Sequence, residues 1–547
     1  MVSDAAPPFD PDFQGRRSPV VGTRGTVASS QPLATAAGLR ILAEGGNAAD
    51  AAIATAAALQ VTEPNMTGLG GDCFALFYEA SSGRVTAING SGRSPAALTL
   101  EKLREDGFGA SLPRNHAHCV TVPGACAGWC DFSARHGSLP LAQVLTPAIE
   151  LAEEGFPVAP LTSLLWKWSG ERQLAVSPGG QELLIEGRAP RAGELFRNPT
   201  LAKTLRTVAE KGAEAFYRGA IGAAIAAVVR EMGGVMSEDD LAAHESSWEE
   251  PISSVYRDVR VWECPPNGQG LATLLALNLL RGFELTALDP LGPDRLHLMI
   301  EAMRLAFADA RWYVADPKFG DIPLAELLSE EYASKRRQEI SQGRAAPVTA
   351  RGGPFAGSDT VYLCAVDALG NGCSFINSNY EGFGSGIVPT GCGFSLQNRG
   401  AGFSLDPAHP NALAPGKRPY HTIIPGLITR ESDGSLFGPF GVMGGYAQPQ
   451  GHMQVVVAMV DDGLDPQAAL DRARFHLPNP DAAGEVALEP EVPEATRTAL
   501  AARGHAVETR GGWARIRFGR GQIIRRDPNG ALWGGSDPRA DGCAMSL

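Results

Sequence analysis

The sequence predicts a mixed α+β protein in which antiparallel sheets are covered by layers of helices. Helical and strand-like segments occur in blocks rather than in strict βα alternation, which favours antiparallel over wound parallel sheets. Apolar residues form 44% of the 547-residue chain, and 65 Gly residues supply many turns, as in a well-buried globular protein. Residues 341–357 are rich in Gly, Ala, Pro and Arg and have no helical or strand period, which is typical of an exposed, cleavable connection. We therefore expect one large folded unit made of two segments.

The first segment is mainly helical. A short strand at 26–30 precedes a helix over Gln31–Glu44, which ends at a Gly-Gly pair. The next helix, Asn47–Gln60, is nearly all alanine, so its backbone can approach a sheet closely and we expect burial on more than one side. Strands follow at Cys73–Tyr78 and Arg84–Ile88, and further helices are predicted at Leu141–Glu154, Thr200–Lys211, Ala220–Met232, Ser237–Ala243, Gln269–Leu280 and Pro293–Val314.

The second segment is richer in strands. Apolar, β-branched runs predict four of them. They are Val361–Val366, Gly372–Asn377, Thr422–Thr429 and Gly438–Met443, followed by helices at Gly451–Val460 and Pro466–Arg472 and by a hairpin-rich tail.

Charge and targeting signals exclude several classes of protein. The net charge of −13 argues against partners such as nucleic acid or an anionic membrane. The first nineteen residues lack the apolar core of a signal peptide, and no window reaches the length of a membrane span. The nine cysteines are odd in number and have no repeated spacing, which fits a reducing compartment. We expect a cytoplasmic protein.

One cluster of metal-binding residue types has to be weighed. His116, His118 and Cys119 follow each other closely, and Cys126 and Cys130 come next. The cysteines do not form a CxxC pair and no second ligand pair occurs at finger spacing. A structural role is therefore favoured, and no metal or other cofactor is predicted.

The stretch Ser358–Asp367 carries the main chemical signal. A polar Asp359-Thr360 step follows the linker-like segment and opens an apolar strand. A cut between these two residues would create an N-terminal threonine, in which the nucleophilic hydroxyl and a basic α-amine belong to one residue. That amine titrates near pH 8, close enough to neutrality to take and return a proton. Taken alone, the stretch is more typical of an ordinary strand start with a Ser/Asp turn, and it is the rest of the chain that favours the nucleophile.

Separated motifs in a fixed order resemble the γ-glutamyltranspeptidase family of N-terminal nucleophile hydrolases. The resemblance runs from about residue 20 to residue 542. It implies a four-layer αββα sandwich of two stacked antiparallel sheets and self-cleavage into a large subunit, 1–359, and a small subunit, 360–547. The motifs are Gly45–Ala52, Gly68–Gly71, Val122–Ala125, Pro147–Ile149, Pro265–Asn267, Glu301–Asp309, Phe383–Gly386, Pro415–Arg418, Gly444-Gly445 and Ser536–Arg539.

The resemblance assigns catalytic roles. Counted back seven residues from Asp367, the family nucleophile falls on Thr360. Gly444 and Gly445 lie between a predicted strand and a helix, where two amides can point at one oxygen and form an oxyanion hole. Ser378 aligns with a family hydroxyl that hydrogen-bonds the nucleophile, although a serine paired to backbone is an equally good interpretation.

The chain departs from the family in the pocket for the substrate's α-amine. Family members that act on γ-glutamyl groups place an acid, an Asn and a Gln there, where this chain has Gly402, Tyr380 and Arg399. This pocket has lost an anion and gained a cation.

Other substrate contacts of the family have changed too. The family arginine that binds the substrate's α-carboxylate is replaced by Ser91 in this chain, although Arg93 lies nearby. Two adjacent serines of the family, which follow the Gly-Lys-Arg motif, are replaced by His421 and Thr422. The segment from Phe403 to Pro415 is also about ten residues shorter than in members with a lid loop, so a more open pocket is expected.

These departures suggest an amidohydrolase that cleaves a small, carboxylated, oxamate-like amide, because a guanidinium can grip a carboxylate with two hydrogen bonds. A buried ammonium without a partner is costly, which makes glutathione a doubtful substrate. Two alternatives stay open. One is a γ-glutamyl hydrolase or transferase with other contacts to the amine, and the other is a non-catalytic binding relative. The expected partners are a small-molecule amide and the two subunits of one precursor, with a homo-oligomer as an option.

Overall fold

Two seven-stranded antiparallel sheets stack face to face at the centre of the computed structural model, which describes residues 17–109, 111–346, 359–478 and 485–547. The strands within these ranges are β1 Val20–Gly22, β2 Gly25–Ser29, β3 Asp72–Glu79, β4 Arg84–Gly90, β5 Phe156–Pro157, β6 Leu195–Phe196, β7 Ser247–Glu249, β8 Ile252–Tyr256, β9 Val259–Glu263, β10 Asp359–Asp367, β11 Gly372–Tyr380, β12 Gly426–Arg430, β13 Leu436–Met443, β14 Phe475–His476, β15 Glu485–Leu488, β16 Ala506–Thr509, β17 Arg520–Arg526, β18 Leu532–Ser536 and β19 Cys543–Ser546.

Helices lie mainly outside the sheets. They are α1 Pro32–Ala43, α2 Ala48–Thr62, α3 Leu100–Glu105, α4 Ala125–His136, α5 Leu141–Glu154, α6 Pro160–Ala175, α7 Pro199–Tyr217, α8 Ala220–Glu231, α9 Glu238–Ala242, α10 Gly270–Leu280, α11 Pro293–Tyr313, α12 Leu324–Leu327, α13 Glu330–Arg337, α14 Ala447–Val460, α15 Pro466–Asp471 and α16 Glu494–Ala502. Within the described residues no single helix has the length and apolar composition of a membrane span, whereas α7 and α8, bent by 51°, meet both criteria as a pair.

Each sheet is built from both segments of the chain. The sheet that contains Thr360, called the threonine sheet, has the order β19-β2-β10-β11-β3-β4-β7. The other sheet, called the glycine sheet because it leads into Gly444, has the order β1-β18-β17-β13-β12-β9-β8. Strands from before and after residue 360 occur together in both sheets, so the two predicted subunits form one folded body.

Four layers result from the way the helices cover these sheets. Helices α1, α2 and α5 pack together, with α1 and α2 against the threonine sheet, while α10 and α14 lie on the glycine sheet and α11 packs against α10. The sheets approach closely where the ring of Tyr362 occupies the space that a Cβ at Gly441 would need, at 2.4 Å. The predicted αββα arrangement of stacked antiparallel sheets is confirmed.

The alanine-rich helix α2 illustrates why the sequence folds this way. Asn47 caps it and forms a reciprocal capping box with Asp50, which satisfies free N–H groups at its start. Every residue of α2 is buried. Its small side chains let α1 approach so closely that a Cβ on Gly38 would lie 2.1 Å from the hydroxyl of Thr55. The predicted burial on more than one side is therefore confirmed.

Several predicted boundaries were wrong. The strand expected over Thr422–Thr429 begins at Gly426, because Ile424 donates its amide to the Gln448 side chain at 3.0 Å and Pro425 has no N–H to pair. The helix expected from Gly451 starts four residues earlier, at Ala447.

Other helices were extended or missed by the sequence pattern. The helix expected over Thr200–Lys211 continues to Tyr217 across a break at Gly212, where φ is 66°. Helices α4 and α6 had not been predicted. Half of α4 is buried, although it has no strongly apolar side, so its formation depends on tertiary packing.

Candidate active site

Thr360 lies near the start of β10, in the middle of the threonine sheet. On one side β10 pairs with β11, with Val361 opposite Asn377, and the register is irregular between Asp359 and Val361. Thr360 is fully buried, and its Oγ1 lies 3.0 Å from the Oγ of Ser378 on β11. The structure therefore brings together the predicted nucleophile and the predicted neighbouring hydroxyl.

The backbone nitrogen of Thr360 determines when this hydroxyl becomes reactive. In the intact chain that nitrogen belongs to a peptide bond, whose resonance leaves no basic lone pair. After a cut between Asp359 and Thr360 it would be an amine with a pKa near 8, held on the same residue as the hydroxyl. The arrangement therefore gains a general base only by cleavage.

Arg399 extends this hydrogen-bonded group. It lies in a 3₁₀ turn, is fully buried, and donates from Nη1 to the Thr422 hydroxyl at 2.7 Å and from Nη2 to the Ser378 hydroxyl at 3.3 Å. Its Nε has no acceptor within the described ranges. The ring of Tyr380 lies 4.1 Å from the guanidinium carbon. In both of these hydrogen bonds the acceptor is therefore a neutral hydroxyl and not a carboxylate.

Burial affects the charge on Arg399 but does not remove it. Burial lowers the pKa of Arg399 to about 10, against the opposing effect of the negative charge on Asp72. The guanidinium is thus still protonated at neutral pH. An N–H left without an acceptor in a buried site is costly, so the Nε of Arg399 favours an incoming hydrogen-bond acceptor.

His421 is held by a buried carboxylate rather than pointing into open space. Its Nε2 donates to Oδ2 of Asp72 at 2.9 Å, and both side chains are buried. The other oxygen of Asp72 accepts from the Gly92 amide and from Nε2 of Gln397, each at 2.9 Å. Burial, followed by the positive charge of Arg399, lowers the pKa of His421 to about 3, so the imidazole is neutral. His421 therefore lies in the polar network around the threonine.

Gly444 and Gly445 connect β13 to α14. Their φ angles are 135° and 58°, which glycine adopts without strain. Neither amide N–H has a backbone acceptor among the described residues. The Gln269 side chain donates to the carbonyl of Gly445 at 2.8 Å and to that of Thr422 at 2.6 Å. The glycine turn is thus tied to the residue that binds Arg399.

Arg93 has a different environment from Arg399. Its Nη1 lies 2.9 Å from a carboxylate oxygen of Asp316 and 3.1 Å from the carbonyl of Gly416. It is not among the residues that line the cavity described below. Its predicted contact with substrate stays a prediction, and its charge is already paired with Asp316.

A cavity of about 950 Å³ lies next to Tyr380, whose ring also contacts the guanidinium of Arg399. Tyr380 and Gly402 line it, whereas Thr360 and Arg399 do not. Much of its lining is aromatic or aliphatic, and the lining also contains two arginines. The lining includes Leu98, Arg114, Arg311, Trp312, Phe403, Leu413, Tyr420 and Tyr446.

Arg114 connects the cavity wall to the strand that carries Ser378. Its Nη1 donates to Oε1 of Glu381 at 2.7 Å, and Oε2 of Glu381 accepts from the Asn398 side chain at 2.9 Å. The guanidinium carbon of Arg114 also lies 5.9 Å from the ring centre of Tyr380. Tyr380 is therefore close to two cations, Arg399 beside Ser378 and Arg114 in the cavity wall.

The histidine and cysteine cluster considered from the sequence forms local hydrogen bonds. His118 contacts Asp106 at 2.8 Å, the His116 side chain accepts the His118 amide at 3.1 Å, and Cys119 donates to the carbonyl of Pro113 at 3.3 Å. Within the described ranges these residues are not grouped at metal-ligand spacing with Cys126.

A group that does have such spacing comprises His297, Glu301 and His505. Arg304 donates to Glu301 at 2.9 Å and to His505 at 3.2 Å, and His297 and His505 bond each other at 2.8 Å. A guanidinium bound to two of the three ligands repels a cation, so this group is better described as a hydrogen-bonded network.

Sequence patterns missed several residues of the site. Asp72 directly follows the Gly68–Gly71 motif, which had been used only as one of the family motifs. Arg114 lies outside the motifs, and Arg311 follows the Glu301–Asp309 motif without being part of it. Asp72, an acid that directly follows a glycine motif, was a usable signal for a site residue. The positions of the two arginines in the cavity wall are known only from the folded chain.

A threonine near the start of a central strand, a neighbouring hydroxyl and a glycine turn on the facing sheet are the features expected of the precursor of an N-terminal nucleophile hydrolase. Comparison with known proteins identifies the family. The family model described as Gamma-glutamyltranspeptidase matches residues 34–547, and the chain belongs to this family.

Individual relatives match over almost the whole chain. A glutathione hydrolase-like YwrD proenzyme of Bacillus subtilis is 38% identical, covering 96% of this chain and 99% of the relative. An oxamate amidohydrolase proenzyme of Klebsiella pneumoniae is 35% identical over 96% of this chain and 98% of the relative. The crystal structure of cephalosporin acylase from Bacillus halodurans is 46% identical, covers 100% of this chain and 99% of that one, and superposes with a TM-score of 0.91. The chain is thus similar to self-processing hydrolases and acylases.

Proposed function

We propose that the protein cuts itself between Asp359 and Thr360 and then hydrolyses an amide whose acyl group carries a carboxylate. The observation that supports this most directly is the position of Arg399. This buried cation has an N–H without an acceptor and lies 3.3 Å from the Ser378 hydroxyl, which in turn lies 3.0 Å from that of Thr360. A carboxylate bound to Arg399 would lie only a few bonds from a carbonyl at Thr360, which suits a short acyl group.

Each chemical step can be assigned to a group of this chain. The α-amine of Thr360 accepts the proton of Oγ1 as Oγ1 bonds to the carbonyl carbon of the amide. The amides of Gly444 and Gly445 donate to the resulting oxyanion. When the C–N bond breaks, the ammonium returns its proton to the departing amine, which leaves a threonine ester. Water, deprotonated by the same amine, then cleaves the ester and releases the acid.

Charge complementarity favours a plain carboxylate over a γ-glutamyl head. The ammonium of a γ-glutamyl group would meet Arg399 and the glycine at position 402 instead of an anion. Placing an unpaired charge beside a like charge in a buried site costs several kcal/mol, or more than about a hundredfold in affinity. The related oxamate amidohydrolase is named for a carboxylated amide, which supports this choice.

The cavity indicates that the remainder of the substrate can be large. Oxamate itself would leave most of a space of about 950 Å³ empty, whereas an amide with a ring-bearing amine would use the aromatic and leucine-rich walls. The 46% identity to a protein named cephalosporin acylase supports a substrate of this size. We therefore propose carboxylated amides as a class, with oxamate as the smallest member.

Hydrolysis of γ-glutamyl compounds is the second candidate. It is favoured by the 38% identity to a protein named glutathione hydrolase-like. It requires a new partner for the substrate ammonium, and Asp406 at the cavity wall is the acid available among the described lining residues. Turnover of γ-glutamyl-p-nitroanilide at a rate above that of glutaryl-p-nitroanilide would favour it.

Substitution of Arg399 tests the proposal. We expect Arg399→Gln to lower kcat/KM for glutaryl-p-nitroanilide about 100-fold, because a charge-assisted pair is lost. Butyryl-p-nitroanilide lacks the carboxylate and should be affected far less. Arg93→Gln serves as the matched variant and should leave the ratio of the two substrates unchanged, since Arg93 is paired with Asp316. A ratio that is unchanged by Arg399→Gln but altered by Arg93→Gln would move the carboxylate site to Arg93.

A further inference from the structure

The Tyr380 ring contacts both the cavity and one of the groups at the reaction site. It is part of the cavity lining, and its centre lies 4.1 Å from the guanidinium carbon of Arg399. Thr360 and Arg399 are both fully buried. Neither residue is part of the cavity lining, so a substrate in the cavity meets Tyr380 and not the groups that react.

The backbone of Tyr380 is held in an unusual conformation. Its φ angle is 78°, in the left-handed region that a residue with a bulky side chain rarely adopts. Two contacts fix it there. Its amide donates to the Ser378 hydroxyl at 2.8 Å, and its backbone is paired with Asp359 across β10 and β11. Such strained conformations persist only where the surroundings enforce them, and they occur at switch regions.

One of these two contacts depends on the peptide bond that the proposed cleavage would break. Asp359 precedes Thr360, and the register next to it is already irregular. Once the chain is cut, Asp359 is a C-terminal residue that is no longer covalently held beside Tyr380. The Tyr380 backbone can then relax out of the left-handed region.

We propose that Tyr380 is a gate that the intact chain keeps shut through Asp359 and that cleavage opens, which rests on the proposed self-cleavage. The open gate admits a carboxylate-bearing acyl group to Arg399 and its carbonyl to Thr360. The ring has a second cation to contact, because Arg114 lies 5.9 Å from its centre. Moving off Arg399 therefore does not deprive the ring of a cation–π partner. Access to the site and formation of the Thr360 amine are switched on by the same cut.

Binding of glutarate, a dicarboxylate that cannot be hydrolysed, measures the state of the gate. Isothermal titration calorimetry would compare processed wild-type protein with uncleaved Thr360→Ala protein and with Thr360→Ala/Tyr380→Gly protein. We expect the processed protein and the Thr360→Ala/Tyr380→Gly protein to bind with dissociation constants within about threefold of each other. The uncleaved single variant should bind at least about tenfold more weakly. Thr360→Ala/Tyr380→Phe keeps the ring and should behave like the single variant.

A matched control separates gating from general relief of strain. Glu186 also has a left-handed φ, 51°, in a turn outside the site. Thr360→Ala/Glu186→Gly should bind glutarate as weakly as Thr360→Ala alone. Equal affinity of uncleaved Thr360→Ala protein and processed protein would overturn the gate.

Hydrogen exchange decides the question without a substitution at position 380. Amides of residues 378–382 should exchange at least about tenfold faster in processed protein than in uncleaved Thr360→Ala protein, while those of residues 372–376 stay alike. Equal exchange would overturn the gate. If no form binds glutarate but this difference in exchange is present, the gate stands and the carboxylate specificity in the proposed function is what fails.

Discussion

At the scale of single residues, the buried groups around Thr360 set both the charge of the site and its response to pH. Arg399 keeps its charge because hydroxyl oxygens accept from it and Asp72 lies near it, while His421 is kept neutral by burial and by that same guanidinium. The two side chains are therefore coupled, because the charge on one disfavours a charge on the other.

The neutral state of His421 predicts acid sensitivity. The pKa of His421 is lowered to about 3, below its ordinary value near 6.5, so below pH 6.5 the unfolded chain binds a proton that the folded protein excludes. The contribution to stability is thus complete above pH 6.5 and falls with decreasing pH. His421→Gln keeps a donor for Asp72 and removes the titration.

We expect the loss of unfolding free energy between pH 7 and pH 5 to be about 2 kcal/mol smaller in His421→Gln protein. Urea unfolding at both pH values, in the uncleaved Thr360→Ala background so that all proteins are single chains, measures the difference. An identical loss in both proteins would show that His421 is charged in the folded state.

At the scale of elements, the two sheets contribute different parts of the reaction. β10 and β11 of the threonine sheet hold Thr360 and Ser378, while β13 of the glycine sheet ends just before Gly444 and α14 begins just beyond the glycine turn. Gln269 at the start of α10 connects the glycine turn to the residue that binds Arg399. The site is thus formed by the stacking of the sheets.

The glycine turn gives a prediction about catalysis. Gly445 has a φ of 58°, and a Cβ there strains the turn and displaces its amides. Because oxyanion donors contribute roughly 2.7–4 kcal/mol to the barrier, Gly445→Ala should lower kcat about 100-fold or more with little change in KM. Gly463→Ala is the control, since Gly463 has a φ of 65° with open space around it. Equal kcat values for the two variants would move the oxyanion hole elsewhere.

The contact between α1 and α2 gives a prediction about stability. A Cβ on Gly38 would meet the Thr55 hydroxyl at 2.1 Å and the Ala51 carbonyl at 3.0 Å. Gly38→Ala should therefore destabilise the protein by about 1–3 kcal/mol through overpacking, without changing kcat of the folded fraction. Gly320→Ala, which meets nothing within 4 Å, is the matched control in urea unfolding. Equal stability of the two variants would show that the helices can move apart at no cost.

At the scale of the whole molecule, the two segments on either side of residue 360 are inseparable in the fold. β10 from the second segment pairs with β2 of the first, and β11 pairs with β3. A cut between Asp359 and Thr360 therefore leaves the rest of β10 hydrogen-bonded to the strands on both sides.

Self-cleavage is the prediction at this scale. Purified protein should resolve under denaturing conditions into chains 1–359 and 360–547, yet elute together on gel filtration. Thr360→Ala protein should remain one chain, because the attacking hydroxyl is absent. N-terminal sequencing of the smaller chain measures the cut, and a start at any residue other than Thr360 would refute the assignment of the nucleophile.

Amino-acid order alone determined the class of fold, most helices and the predicted nucleophile. These features depend on local patterns, such as the alanine run of α2, and on motifs whose residues and spacing can be recognised in the sequence alone. Strand ends were less accessible, because the loss of pairing before Gly426 depends on where the Gln448 side chain lies.

Tertiary structure decided which cation lies beside the predicted nucleophile and what surrounds it. Arg93 and Arg399 were both predicted from the sequence as cations that bind substrate. In the folded chain Arg93 pairs with Asp316, whereas Arg399 donates to the Thr422 and Ser378 hydroxyls. Asp72, Arg114 and Arg311 come from distant parts of the chain, so no local pattern could group them. The physical reason is that charge pairing and burial depend on distances in space, which residues hundreds of positions apart acquire only when the sheets stack.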